Sequence, residues 1–160
     1  MDLGLAGKVA IVTGGSRGVG RAIAASLLRE GARVMISARN PQRLEATRAA
    51  LAQETGGEVR AAPADLARDP DAKLLIEATL EAFSHLDILV NNAATVMPDD
   101  FLALTEERWA GVFEQKLNGY VRCLRYAIPP MQTRGWGRII NLSGLAAREN
   151  GSKTVPVGVN

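Results

Sequence analysis

The chain has 160 residues, of which 47% are apolar and 22% charged, and this composition and length predict a single globular domain. Its net charge is +2 and its basic residues are scattered, which argues against a nucleic-acid partner. One cysteine excludes an intrachain disulfide, no apolar run is long enough to span a membrane, and no metal-ligand spacing is present, so we expect a cytoplasmic protein.

Strands and helices are predicted to alternate from the N-terminus onwards. Short runs rich in β-branched residues predict strands at residues 8–13, 33–38 and, from a weaker pattern, 58–62. Helices are predicted at residues 19–30 with Val19, Ile23 and Leu27 at helical spacing, from Pro41 to about Thr55, and at residues 70–83 with Leu74, Leu75, Ala78 and Ala82 as the inner stripe.

The second half of the chain continues the same alternation. A fourth strand is predicted at residues 86–91 and a fifth at residues 138–143. Between them, Thr105 is a good N-cap for a long helix that runs to about Thr133, and Pro129 and Pro130 are expected to distort that helix or end it early. Residues 144–160 are predicted to form a loop or the start of a helix.

Strands that alternate with helices of this length are typical of a three-layer α/β fold around a doubly wound parallel sheet, the Rossmann type. The chain stops soon after the fifth strand, although a parallel sheet is normally covered on both faces. We therefore expect the chain to be a fragment, or to need a partner over its last strand.

A glycine-rich turn, residues 13–20 (TGGSRGVG), joins the first strand to the first helix. Such a turn brings free N–H groups and the positive helix end to one point, which suits a pyrophosphate. Gly14 would allow the tight turn, Gly18 the approach of phosphate, and Gly20 the close packing of helix on strand. The predicted binding residues here are Gly14, Ser16, Arg17, Gly18, Val19 and Gly20; the alternative is an ordinary glycine-rich loop, which the strand–helix context disfavours.

Three motifs together resemble the short-chain dehydrogenase/reductase family: the TGxxxGxG turn, the Asn91-Asn92-Ala93 segment after the fourth strand, and RIINLSG at residues 138–144. The resemblance covers residues 5–160. It implies strand order 3-2-1-4-5, a nicotinamide cofactor and hydride transfer between that cofactor and a carbonyl or alcohol substrate. Members of the family are usually longer, with two further strands and helices that carry much of the substrate pocket.

The end of the second strand indicates which nicotinamide cofactor is bound. Relatives that use NAD carry Asp where this chain has Ala38, and an acid there would hold the ribose 2′-hydroxyl. Arg39, beside Asn40, could instead grip a 2′-phosphate, and Arg17 supplies a second cation in NADP-type relatives. NADP(H) is therefore the predicted cofactor; the alternative is that both arginines are solvated surface residues.

Two further segments resemble parts of the family's cofactor site. Asp65 and Leu66 resemble a pair that contacts adenine, although Asp65 could equally shape the turn before the next helix. Asn92, Ala93 and Ala94 resemble the segment that lines the adenosine side. Ala94 stands where relatives have glycine, so the local backbone is expected to differ if that position requires a positive φ.

The family's catalytic residues are mostly absent. The resemblance implies a Tyr as general acid/base with a Lys four residues later, yet Leu124 follows Tyr120 and Pro130 follows Tyr126 at that distance. The family's spacing places the Tyr at position 156 or 157, which are Pro and Val here. The family's serine aligns with Ser143 or, one place later, with Gly144.

Lys116 stands where relatives carry an Asn on the long helix. Two interpretations remain open. Lys116 acts as a proton donor or electrostatic clamp beside Ser143, because a buried lysine can shift its pKa toward neutrality; or Lys116 is a solvated helix residue and the site is inert.

Three functional hypotheses follow. The chain is an NADP-dependent oxidoreductase with an atypical site that acts on a small carbonyl or alcohol; it is a non-catalytic NADP(H)-binding module or inactive subunit; or it is the N-terminal part of a longer active enzyme. In relatives the long helix forms part of a subunit interface, so the resemblance also implies a homo-oligomer.

Overall fold

The computed structural model describes residues 2–94 and 105–144. Within these residues the strands are β1 Val9–Thr13, β2 Arg33–Ala38, β3 Val59–Pro63, β4 Ile88–Asn91 and β5 Arg138–Asn141. The α-helices are α1 Gly18–Arg29, α2 Pro41–Thr55, α3 Asp69–Phe83, α4 Glu106–Phe113 and α5 Gly119–Thr133, and a π-helical turn, Glu114–Asn118, joins α4 to α5.

The strands form one parallel sheet in the order β3-β2-β1-β4-β5, which confirms the predicted strand order. Ile11 of the central strand pairs with Met35 on one side and Leu89 on the other. β4 begins later than predicted, at Ile88, and β5 ends earlier, at Asn141. The interior of each strand was easier to predict than its ends, because apolar patterning marks the buried middle and not the last hydrogen bond.

Helices cover both faces of the sheet, as expected for a doubly wound fold. Because successive strand residues point to opposite faces, β1 contributes Val9 and Ile11 to one core and Ala10 and Val12 to the other. The first core is completed by α3 and α5, and the second by α1 and α2. The central strand of the sheet, β1, is therefore fully buried.

The inner face of α3 agrees with the prediction only in part. Leu75 is buried and Ala78 packs against the first core as predicted, whereas Leu74 is 60% exposed and Ala82 is also exposed. The residues that pack inward are Ala72, Leu75, Ile76, Thr79 and Phe83. Both sets have helical spacing, and the second includes a threonine whose hydroxyl is satisfied by donating to the Leu75 carbonyl at 2.8 Å. Only the position of the sheet beneath the helix distinguishes them.

The long helix also departs from the prediction. It continues through Pro129 and Pro130 to Thr133 and does not end at the prolines. Its irregularity lies earlier, in the π-helical turn Glu114–Asn118, which no sequence signal indicated. Such single turns often occur at functional sites, and this one carries Lys116.

Two observations bear on the surface. All four residues of β5 are exposed in the described part of the chain, and Ile139 and Ile140 are 38% and 45% exposed. No helix among the described residues is long and apolar enough to cross a membrane.

Candidate cofactor site

The carboxyl ends of β1, β2, β3 and β4 border a cavity of about 360 Å³. The structure brings every residue predicted to bind the cofactor to its wall: Gly14, Ser16, Arg17, Gly18, Val19, Gly20, Arg39, Asn40, Asp65, Leu66, Asn92, Ala93 and Ala94. Ser37, Ala38, Arg43, Ala64 and Gln115 also line it. Ligands of open α/β sheets bind at this edge, so the cavity is the candidate functional site.

The glycine-rich turn depends on glycine at several positions, and Gly14 and Gly20 show the reason. Gly14 has a φ of +66°, a conformation that side chains other than glycine rarely adopt. At Gly20 a Cβ would lie 2.4 Å from the Gly14 carbonyl oxygen and 2.5 Å from Nδ2 of Asn92. The first turn of α1 can therefore approach the ends of β1 and β4 only because Gly20 has no side chain.

The start of α1 is open to an anion. Arg17 at the N-cap makes no side-chain capping bond and the first turn has no acidic residue, whereas Asn40 caps α2 and Thr105 caps α4. A Cβ at Gly18 would meet no atom within 4 Å, so space remains in front of the helix. Free N–H groups and the positive end of the helix dipole therefore border the cavity, which fits the pyrophosphate of a dinucleotide.

Thr13 and Asn92 lock the two central strand ends together. The Thr13 hydroxyl accepts from the backbone N–H groups of Asn92 and Ala93 at 2.9 and 3.0 Å and donates to the Val90 carbonyl at 3.3 Å. The Asn92 amide donates to the Thr13 carbonyl at 2.9 Å. The sequence does not indicate this role of Thr13, because its hydrogen-bond partners are far away in the chain. Asn92 takes part in the same hydrogen bonds and also lines the cavity.

Ala94 needs no unusual backbone. Ser84 is the only non-glycine residue with a positive φ in the described part of the chain, so the φ of Ala94 is not positive. The glycine of relatives is therefore not required at this position, and the expected backbone difference does not arise from a positive φ.

Three arginines line the cavity beside the end of β2. Arg17 and Arg39 were predicted from sequence, and Arg43 in the first turn of α2 was not. Arg43 could have been predicted from the sequence, because Pro41 marks the start of that helix. Arg43 follows Arg39 by about one helical turn. Ala38 lines the wall where an acid would hold a ribose hydroxyl. This side of the cavity is therefore strongly cationic.

Asn40 and Asp65 line the cavity and also form hydrogen bonds that stabilise the local backbone. The Asn40 side-chain oxygen accepts from the Arg43 N–H at 2.8 Å and caps α2. The Asp65 carboxylate accepts from the Ala67 N–H at 3.2 Å, and the Asp65 N–H donates to Asp71 at 2.9 Å. Asp65 thus shapes the turn before α3, which was one of the two roles predicted for it. It also lines the cavity.

The π-helical turn presents Gln115 to the cavity and buries Lys116, which is only 8% exposed. The interpretation of Lys116 as a solvated residue is therefore wrong. Burial lowers the pKa of Lys116, because desolvation penalises the charged ammonium. Lys116 does not itself line the cavity that the described residues form.

The remaining candidates for chemistry lie away from this wall. Ser143 is exposed beyond the end of β5 and does not line the cavity of the described residues. The Tyr120 hydroxyl donates to the Leu142 carbonyl at 3.3 Å, and burial raises the pKa of Tyr120 to about 12. Tyr126 donates to Asp69. Positions 156 and 157 lie outside the described residues.

The parallel sheet, the glycine-rich turn and the cavity at the strand ends define a Rossmann-type α/β domain. The profile of the family described as short chain dehydrogenase matches residues 8–157. The chain belongs to the short-chain dehydrogenase/reductase family.

Individual relatives agree with this assignment. The chain is 36% identical over 157 residues to the uncharacterized oxidoreductase YvrD of Bacillus subtilis, covering 98% of this chain and 57% of the relative. It is 36% identical over 146 residues to the rhamnolipids biosynthesis 3-oxoacyl-(acyl-carrier-protein) reductase of Pseudomonas aeruginosa, covering 89% and 56% of the two chains.

Among solved structures, L-sorbose reductase from Gluconobacter frateurii, complexed with NADPH and L-sorbose, superposes with a TM-score of 0.94 at 33% identity. That match covers 99% of this chain and 60% of the reductase. The chain therefore spans less than two thirds of the length of each of these relatives.

Proposed function

We propose that this protein is an NADP(H)-dependent oxidoreductase that transfers hydride between the cofactor and a small carbonyl or alcohol. The observation that carries the proposal is the cavity in which an uncapped helix start, a glycine-rich turn and three arginines come together. The presence of NADPH and a sugar substrate in the similar L-sorbose reductase supports both the cofactor and the substrate class.

Backbone N–H groups and arginine side chains would bind different phosphates of the cofactor. The N–H groups at the start of α1 would hold the pyrophosphate, which Gly18 leaves room to approach. Arg17, Arg39 and Arg43 would surround the 2′-phosphate, because guanidinium groups pair with phosphate through two parallel hydrogen bonds. When bound, NADPH supplies the hydride that reduces a carbonyl carbon.

We assign Lys116 the role of a buried cation beside the reacting group, as proton donor or electrostatic clamp. A desolvated lysine releases its proton more readily than a solvated one, and its charge would favour the negative oxygen of a reduced carbonyl. The π-helical turn holds it immediately next to Gln115 of the cavity wall.

The lowered pKa predicts a specific dependence of stability on pH. Below the folded-state pKa, Lys116 is charged in both states and the folded protein bears the desolvation cost. As pH rises through that pKa toward 10.5, the folded state loses the proton first and the unfolding free energy rises. Between about pH 7 and about pH 10, the unfolding free energy of the wild type measured in urea is expected to rise relative to that of Lys116→Met, by about 1.4 kcal/mol per unit of pKa lowering.

Lys73→Met is the control for this comparison. Lys73 is 57% exposed on α3 and pairs with Glu77 at 3.6 Å, so its replacement should leave the rise in place. If Lys116→Met and the wild type change in parallel with pH, Lys116 is not desolvated in solution and its proposed role is wrong.

A second function has its own support. Within the described residues, neither tyrosine lines the cavity and Ser143 is exposed outside it, which favours a module that binds NADP(H) without chemistry. The two functions are separated by calorimetry with NADPH and NADH, followed by a carbonyl panel monitored by nicotinamide absorbance. Tight NADPH binding with turnover supports the oxidoreductase, binding alone supports the module, and no binding of either cofactor contradicts both.

We also propose that the protein forms a homo-oligomer through the outer face of α5 and the turn before it. Leu117, Val121 and Ile128 are 49%, 47% and 37% exposed and lie at helical spacing on this face. Val121→Glu is expected to shift the mass measured by light scattering to that of a monomer. Leu74→Glu, on the exposed side of α3, should not shift it. A wild-type monomer at micromolar concentration contradicts the proposal.

A further inference from the structure

Arg122 connects the cavity wall to the π-helical turn. Its side chain, on α5, is 18% exposed. Nη1 donates to the Leu66 carbonyl at 3.0 Å and to the Glu114 carbonyl at 3.4 Å, while Nη2 pairs with the Glu114 carboxylate. One guanidinium group therefore joins three points that belong to two separate segments of the chain.

On the helix side, hydrogen bonds to Glu114 connect the first residue of the π-helical turn to its last residue and to Arg122. Glu114 is its first residue and Asn118 its last. The Asn118 amide donates to the Glu114 carboxylate at 2.6 Å, on the oxygen that Arg122 does not use. Hydrogen bonds from Asn118 and Arg122 lower the pKa of Glu114, so the carboxylate stays charged and keeps both partners at neutral pH.

On the cavity side, the contact is made where the wall itself touches the helix. Leu66 and Asp65 line the cavity. A Cβ at Gly119, the first residue of α5, would lie 3.1 Å from Cβ of Leu66, so the backbone of the helix passes close against this part of the wall. Displacement of Leu66 would therefore be felt both at Gly119 and, through Arg122, at Glu114.

We propose that Arg122 is a positioning residue that couples the wall at Asp65 and Leu66 to the π-helical turn, so that a nucleotide bound at this wall orders the turn that holds Gln115 and Lys116. The inference deepens the proposed function and rests on it for the identity of the nucleotide. A planar guanidinium suits this role, because it can serve several acceptors at once in a fixed geometry.

Hydrogen exchange with 2′,5′-ADP, the adenosine part of NADP, tests the coupling without any turnover. In the wild type, the nucleotide is expected to slow amide exchange at least about fivefold both in the glycine-rich turn and at residues 114–119. In Arg122→Gln, slowing should persist in the glycine-rich turn and disappear at residues 114–119. A direct contact of the nucleotide with Gln115 would slow exchange equally in both proteins, so the difference reports the coupling.

Arg125→Gln is the matched control, because Arg125 lies on the same helix, is 64% exposed and pairs with Asp69 at 3.5 Å. It should behave as wild type, and Arg122→Lys, which keeps a cation but not the planar fork, should restore part of the slowing. If Arg122→Gln does not fold, Glu114→Gln provides a second variant with reduced coupling. Full slowing at residues 114–119 in Arg122→Gln and Glu114→Gln overturns the inference, whereas no slowing of the glycine-rich turn in the wild type overturns the proposed function instead.

Discussion

Replacing Gly20 by alanine is expected to weaken NADPH binding by roughly 10- to 100-fold. The added Cβ would lie 2.4 Å from the Gly14 carbonyl oxygen and 2.5 Å from the Asn92 amide, which is itself hydrogen-bonded to the Thr13 carbonyl. Overpacking of this kind costs about 1–3 kcal/mol, and about 1.4 kcal/mol corresponds to a tenfold change in affinity. Calorimetry gives the affinity, and urea unfolding should show a loss of stability in the same range.

Gly111→Ala is the control for this substitution. Gly111 lies within α4, and a Cβ there would meet nothing within 4 Å. Alanine is about 1 kcal/mol more favourable than glycine inside a helix, so this variant should bind NADPH normally and be slightly more stable. Wild-type affinity in Gly20→Ala contradicts the close approach of α1 to β1 that the site depends on.

Arg39→Asp is expected to shift the relative affinity for NADPH and NADH toward NADH by roughly two orders of magnitude or more. Arg39 lines the cavity beside Ala38, where an acid would hold the ribose 2′-hydroxyl. Hydrogen bonds between charged groups contribute roughly 1.5–3 kcal/mol each, and the new carboxylate would also repel a 2′-phosphate. The ratio of the dissociation constants for NADPH and NADH, measured in wild type and variant, gives the result directly.

Arg60→Asp changes the net charge of the protein equally and serves as the control. Arg60 is 61% exposed on β3 and does not line the cavity. Its replacement should leave the ratio unchanged apart from a weak, salt-dependent effect. A ratio that does not move toward NADH in Arg39→Asp contradicts the assignment of the 2′-phosphate to this arginine. Arg43 would then be the next residue to replace, because it is another cation that lines this wall.

Much of the fold and of the cavity wall could be predicted because local chemistry constrains both. Strands such as Val9–Thr13 are continuous apolar runs that only a sheet buried on both faces accommodates. Gly14 and Gly20 lie in a short strand-to-helix turn, so their roles follow from backbone geometry within eight residues of sequence. Asn92 and Asp65 were located through the resemblance to a family, since nothing near them in sequence shows that they line the same cavity as Gly14.

Residues whose roles depend on packing could not be predicted. The inward stripe of α3 has an equally periodic alternative, which Leu74 occupies. In the sequence, Lys116 looks like an ordinary lysine of a helix. Its burial becomes visible only in the structure, where Lys116 lies in the π-helical turn. Arg122 has partners 56 residues away at Leu66 and eight residues away at Glu114, and neither contact leaves a periodic signal in the sequence.

The sequence by itself determined the alternation of strands and helices, the glycine-rich turn and the absence of an acid at Ala38, because hydrophobic period, glycine geometry and residue charge act over short stretches of chain. The tertiary structure alone decided that Lys116 is buried, that Thr13 braces β4, and that Arg43 joins Arg17 and Arg39 at one wall. Burial and long-range hydrogen bonds depend on which surfaces meet after folding, and that information is held by the packed chain rather than by any one segment.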